Sequence, residues 1–222
     1  MAFKANDSLT EQIAQYLGKK IIEGGMPPGE RIQELRIAAE LEVSRGSIRE
    51  ALLILQRRHL VEIYPRRGAV VAGISRDDVR DFFELWFWLL DRLFSELATG
   101  WRGDDLAAFD ARLAALAECE AAGDWQRYYE TGVELLGAVY DRSRNRYLQE
   151  LLADLLPQSQ RCLFVILKGG SARMEHTLAL LQTLFGHVRA RDVNAVRATV
   201  AEFCKDYTAL AEASVGHFAA PR

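Results

Sequence analysis

In "LTEQIAQYLGKKIIEG", residues 9–24, apolar side chains fall at Leu9, Ile13, Leu17, Ile21 and Ile22. Steps of four place them on one face of a helix. Ser8 is set to cap its start, with Glu11 at the third position of a capping box. "GGMPPGE" (24–30) stops it, since Gly and Pro break the pattern. Residues 34–42 predict a short second helix with Leu35, Ala38, Ala39 and Leu41 turned inward. After the turn "EVSR", the stretch "SIREALLILQRRHL" predicts a third, with Ile48, Leu52 and Leu55 on the buried side. The period then changes. "LVEIY" (60–64) and "AVVAG" (69–73) are β-branched and apolar, and "PRRG" between them marks a hairpin with a basic tip. Helix, helix, turn, helix, hairpin is the order of a winged helix-turn-helix.

From Ser75 onward the period is helical throughout. Ser75 and Asp78 form another capping signal. Six helices are expected, near 76–99, 104–121, 124–142, 145–168, 171–190 and 193–215, with a kink at Pro157. The pattern therefore predicts a mainly α protein in two domains. Residues 1–75 form a winged helix-turn-helix, and residues 76–222 an all-α helical bundle.

Composition changes this picture in three ways. Half of the 222 residues are apolar, enough for a real core in each domain. The net charge is −3, which argues against a protein that coats nucleic acid. The sign is unevenly spread: residues 1–75 carry 11 Lys and Arg against 9 Asp and Glu, and the rest 17 against 22. That is a basic head and an acidic body. Cys119, Cys162 and Cys204 form no CxxC and read as small apolar side chains in a reducing compartment. "MAFKANDSLTEQ" has no apolar core of a signal peptide, and no run of about 18 apolar residues suits a membrane. A cytoplasmic location without membrane contact is expected.

The candidate chemistry lies in the head. Arg45 and Arg49 stand one turn apart where the third helix begins, although the positive end of a helix dipole favours acidic residues. An external anion resolves the conflict. In a helix-turn-helix this end enters the major groove of double-stranded DNA, where arginine can bridge guanine O6 and N7. Ser44 and Ser47 offer hydroxyls and helix-start N–H groups to phosphate. Arg66 and Arg67, beside Gly68, place cations and a close-approaching backbone at the wing tip. Arg57 and Arg58 end the helix, where cations suit the dipole.

"PPGERI", then "EVSRGSIREALLILQRRHLVEIYPRRGAVV", resembles the GntR family of bacterial transcriptional regulators over nearly all of residues 8–75. The resemblance implies base reading by Arg45 and Arg49, phosphate contacts by Ser44 and Ser47, and wing contacts by Arg66, Arg67 and Gly68, with Gly46 also in the DNA-binding set. Two positions depart from the family pattern. Gly46-Ser47 stands for the usual Thr-Pro and loosens the helix start, and His59 stands for the usual Gly.

The helical remainder is similar to the effector domain of the FadR subgroup, in its shorter VanR-like branch. That domain dimerises, and it often holds a metal through one Asp and three His beside a small carboxylate. Matching "NRYL" and "RARD…VR" to that pattern puts the four ligand positions at Gly132, Leu136, Leu181 and Phe203, and the expected arginine at Trp86. None of these is a ligand, so neither metal nor other cofactor is expected. His176 and His187, about 16 Å apart along one helix, do not replace them. Trp86, Leu90, Gly132, Leu136, Leu181 and Phe203 are instead expected to wall an apolar pocket of roughly a few hundred Å³. It would hold a hydrophobic effector, a fatty-acyl chain or an aromatic compound. A homodimer is expected through the 76–99 helix, where Phe82, Phe83, Phe87, Trp88 and Phe94 exceed one core face.

The expected protein is thus an effector-responsive regulator, of repressor type, that binds a palindromic operator. An effector-free dimerising DNA-binding protein and a metal-dependent carboxylate sensor are the alternatives. An enzyme is not expected: the bundle has no Glu-x-x-His pairs for a di-iron site and no triad or phosphate loop.

Overall fold

Ser8 starts the first helix as a cap: its hydroxyl accepts from Glu11 N–H at 3.2 Å. The computed structural model describes residues 8–217. Its contacts divide the chain into two units. One is built on the residues up to Ser75 together with Asp154–Arg161, and the other on Arg76–Ala153 with Cys162–Ser214.

In the first unit, α1 (Leu9–Ile22), α2 (Glu34–Glu40) and α3 (Arg45–Arg57) precede a hairpin of β1 (Val61–Tyr64) and β2 (Gly68–Val71). Ile13 and Leu17 of α1 meet the apolar face of α3, where Ile48, Leu52 and Leu55 are at most 1% exposed. Each such side chain contributes about 1.5–3 kcal/mol by burial. Gly18 makes the approach possible, because a Cβ there would lie 3.4 Å from Leu55 and 3.5 Å from Leu60. The hairpin is antiparallel, with Val61 opposite Val71 and Tyr64 opposite Gly68.

Three features of this unit differ from the sequence reading. Residues 29–32 pair along β2 as a third edge: Ile32 N–H donates to Ala69 C=O at 2.8 Å and Val71 N–H to Glu30 C=O at 2.9 Å. In α2 the buried residues are Ile37 and Ala38, whereas Leu35 is 65% exposed and Ala39 is exposed. Two turns are too few for a full stripe. Arg58 is not merely a dipole partner, since its guanidinium donates to Glu11 at 2.8 Å and ties α1 to the end of α3.

The second unit contains α4 (Arg76–Gly100), α5 (Ala107–Ala121), α6 (Trp125–Tyr140), α8 (Ser171–Ala190), α9 (Val193–Ala213) and both ends of α7 (Arg146–Leu167), which runs through Pro157 as one helix. These are the six expected helices, preceded at α5 by a short 3-10 turn over Gly103–Leu106. Asp124, Asn145 and Asp192 cap α6, α7 and α9. Helix α4 packs most extensively on α9, with Phe87 against Phe203 and Tyr207 and with Phe83 and Trp86 stacked beside Phe87 on α4. Phe83, Phe87 and Phe94 are therefore spent on the chain's own core. Phe82 is half-buried, and Leu85 (49%) and Trp88 (68%) are exposed.

Candidate nucleic-acid interface and helical cavity

The start of α3 is ordered by its own serines. Ser44 caps the helix by accepting from Ser47 N–H at 3.0 Å, and the two hydroxyls meet at 2.9 Å. Gly46, between them, has room for a Cβ, the nearest atom being the Ser44 hydroxyl at 3.5 Å. Arg45 and Arg49 project from this turn, half or more of each side chain exposed. One carboxylate oxygen of Glu34, at the start of α2, accepts from both: Arg49 Nε at 2.9 Å and Arg45 Nη2 at 3.4 Å. Glu34 is itself only 19% exposed. The two guanidinium groups are thus yoked side by side with donors left over, which is the geometry that planar acceptors require.

In the wing, Arg66 and Arg67 are exposed between β1 and β2. Arg66 sits at φ 64° and Gly68 at φ 81°, the left-handed region. Only Gly adopts it without strain. Arg31, on the edge formed by residues 29–32, lies over Gly68, its guanidinium within 3.8–3.9 Å of where a Cβ would stand. Arg31 is exposed and adds a third cation at the wing. His59 takes φ 57° just past the end of α3. Its position is the left-handed helix terminator that favours Gly.

In the helical unit, Trp86, Leu90, Gly132, Leu136, Leu181 and Phe203 all line one cavity of about 90 Å³. It is smaller than the few hundred Å³ expected. Among the described residues no Lys, Arg, His, Asp or Glu lines it. At Gly132 a Cβ would meet nothing within 4 Å, so the space beside α6 is open. The wall is not wholly apolar, however. Tyr207 and Thr177 lie in it with their hydroxyls 2.5 Å apart, and Thr177 donates to Arg173 C=O at 2.7 Å. Tyr128 donates to Met174 C=O at 3.1 Å. The Trp86 indole N–H donates to Tyr140 at 3.0 Å. Burial pushes the Tyr128, Tyr140 and Tyr207 phenols well above their ordinary range, so all three are neutral. The sequence reading missed these partners. Thr177 and Tyr207 are 30 residues apart on different helices, and no periodicity pairs them.

His176 donates its Nε2–H to the Asp206 carboxylate at 2.8 Å, an exposed pair. His187 is half-buried in the last turn of α8. Among the described residues no group of three or more His, Cys, Asp and Glu is placed to hold a metal. No described helix is long and apolar enough to cross a membrane.

A winged helix-turn-helix with paired arginines, joined to a helical unit with an internal cavity, defines a class of two-part proteins. The family can be given from comparison. The model of the gntR family of bacterial regulatory proteins matches residues 9–71, and that of the FCD domain matches residues 87–205, more than half of the chain. The chain belongs to the GntR family, with an FCD domain. It is 27% identical over 211 residues to the galactonate operon transcriptional repressor of Escherichia coli, covering 84% of this chain and 89% of that protein. The uncharacterized regulator BphR of Paraburkholderia xenovorans is 39% identical over 74 residues, 33% of this chain. For BphR and two further regulators the match spans only 30–42% of their length. The solved structure of E. coli McbR superposes with a TM-score of 0.79 at 21% identity, covering 92% of this chain and 97% of that one.

Proposed function

We propose that this protein is a DNA-binding transcriptional regulator whose operator affinity is set by a small, largely apolar compound in the helical cavity. The observation that carries the DNA reading is the pair Arg45 and Arg49, joined through Glu34 at the exposed start of α3. Two arginines presented together can bridge guanine edges, while Ser44 and Ser47, with Gly46 between Arg45 and Ser47 at the same helix start, meet phosphate and Arg66, Arg67 and Gly68 follow the adjacent backbone. The likeness to the galactonate repressor favours repression.

We further infer two domains, 1–75 for DNA and 76–222 for effector and dimerisation. A dimer on a palindromic operator follows from one recognition helix reading only a few base pairs. Leu85 and Trp88, exposed one turn apart on α4, supply apolar surface for the second copy. The protein works in the cytoplasm, with the chromosome. The effector is neutral and bound without metal, because nothing in the cavity wall pairs a charge. A buried unpaired carboxylate is strongly unfavourable, so a sugar acid such as galactonate does not suit this cavity. At about 90 Å³ the space is nearer to the roughly 150 Å³ of an apolar cavity known to hold benzene than to the needs of a fatty-acyl chain. Small aromatic compounds are therefore favoured, with the wall giving way somewhat to admit them.

The test is selection of duplexes from a random DNA pool by the purified full chain, with sedimentation of the complex. A palindrome with half-sites about one turn apart, bound by two copies, is expected. Recovery of no enriched sequence would remove the DNA reading, and a monomer on the operator would remove the dimer.

A further inference from the structure

We propose that the cavity selects a neutral aromatic compound bearing one hydrogen-bond donor, a phenol or its like, and that the Tyr207 oxygen accepts that donor. The proposal rests on the cavity being the effector site. It follows from the direction of the hydrogen bonds in the wall.

A threonine hydroxyl has one proton. That of Thr177 goes to Arg173 C=O at 2.7 Å. The 2.5 Å contact between Thr177 and Tyr207 is therefore donated by Tyr207. The chain of protons runs from Tyr207 through Thr177 to the α8 backbone, and it leaves the Tyr207 oxygen with acceptor capacity. The other polar side chains placed above follow the same pattern: Trp86 gives its proton to Tyr140 and Tyr128 gives its own to Met174 C=O. Four of the five polar side chains of the wall thus have their protons committed within the protein, the fifth being Tyr129, whose ring packs on Phe164. Beside those four a ketone or ether finds no free donor for its oxygen. A carboxylate, which only accepts, would also be buried with no cation in the wall. A phenol or a small N–H heterocycle offers the missing donor and buries the rest against Trp86, Leu90, Leu136 and Phe203.

The experiment measures binding of phenol, toluene, cyclohexanone and benzoate to the full chain by ligand-observed NMR. In the parent protein phenol and toluene bind, and benzoate does not. Tyr207→Phe weakens phenol about tenfold, the equivalent of one hydrogen bond, and leaves toluene within about twofold. Thr177→Val removes the acceptor of the Tyr207 proton and frees that hydroxyl to donate. Cyclohexanone should then gain on phenol by about tenfold relative to the parent. This second variant keeps the test decisive if Tyr207→Phe does not fold. Benzoate binding as tightly as phenol, or phenol affinity unmoved in Tyr207→Phe, or no gain of cyclohexanone in Thr177→Val, overturns the proposal. Leu136→Trp, which fills the space, separates the two layers: if phenol and toluene both still bind to it, the cavity is not their site and the underlying reading fails as well.

Discussion

Replacing Glu34 by Gln separates two roles that its position permits. The carboxylate touches Arg49 at 2.9 Å and Arg45 at 3.4 Å, with both arginines half or more exposed. Exposed ion pairs of this kind contribute about 0.2–1 kcal/mol each, so folding should weaken by no more than about 1–2 kcal/mol. DNA binding responds differently according to sequence. Loss of a negative charge from the DNA-facing side adds the equivalent of roughly one phosphate contact. The salt slope should steepen by about 0.9, and non-specific affinity at physiological salt should rise roughly fivefold. Against this, both arginines lose the anchor that orders them. Ordering one long side chain on binding costs about 0.5–1.5 kcal/mol, so two set a penalty of about 1–3 kcal/mol. That penalty falls only on the complex that needs both in register. The ratio of specific to non-specific affinity should drop roughly 5- to 150-fold. Fluorescence anisotropy on a selected operator and a scrambled duplex, from 50 to 300 mM salt (roughly the range over which phosphate contacts are read), measures both quantities. If the ratio holds while both affinities rise together, Glu34 merely repels phosphate and positions nothing.

Further outcomes can be read with the same materials. Arg45→Ala or Arg49→Ala should each lose about 1–3 kcal/mol on the operator and relax base choice at one position; operator affinity unchanged in both variants contradicts base reading. Arg31→Ala, Arg66→Ala and Arg67→Ala should weaken all sequences alike and lower the salt slope by about 0.9 each, and a change confined to the operator refutes a backbone role. His59→Gly should raise stability by about 0.5–1 kcal/mol, because φ 57° is strained for a residue with a Cβ; a lower thermal midpoint counts against that account. Leu136→Trp should retain operator affinity but lose release by any small aromatic compound that acts on the parent protein, and persistent release places the effector elsewhere.

Much of the fold was legible because it is periodic. The stripe of Ile13, Leu17 and Ile21 and that of Ile48, Leu52 and Leu55 dictate which faces of α1 and α3 meet. The switch to β-branched residues after Leu60 marks the wing. What escaped has no period. The pairing of residues 29–32 with β2 is made by backbone groups and leaves no side-chain signature. Leu35 and Ala39 fit a stripe on paper, yet a seven-residue helix buries only Ile37 and Ala38. Glu34 has the same limit. Its partners lie 11 and 15 residues away, across a turn whose geometry the sequence does not print. The six cavity positions came from matching a family pattern, and the structure gathers them around one space. The Thr177–Tyr207 pair lies outside that pattern and exists only once α8 and α9 are packed together.

Gly132 bears directly on the proposed effector site. An empty cavity costs about 24 cal/mol per Å³, so one of about 90 Å³ costs about 2 kcal/mol. A glycine within a helix costs a further 0.5–1 kcal/mol or so relative to Ala. Both penalties meet at one residue, in the middle of α6, where a Cβ would encounter nothing within 4 Å. A single substitution to Ala would relieve part of both, and a protein selected only to pack has no reason to keep them. A protein that must admit a ligand does, because ligand burial returns the stabilisation only when the ligand is present. Gly132→Ala should therefore raise the stability of the unliganded chain by about 1 kcal/mol, from helix propensity and partial filling together. It should also weaken toluene binding. Urea unfolding with and without saturating toluene reads both effects in one experiment. Destabilisation by Gly132→Ala, or an unchanged toluene increment, would mean that the space beside α6 is already filled in solution and is not where a ligand enters.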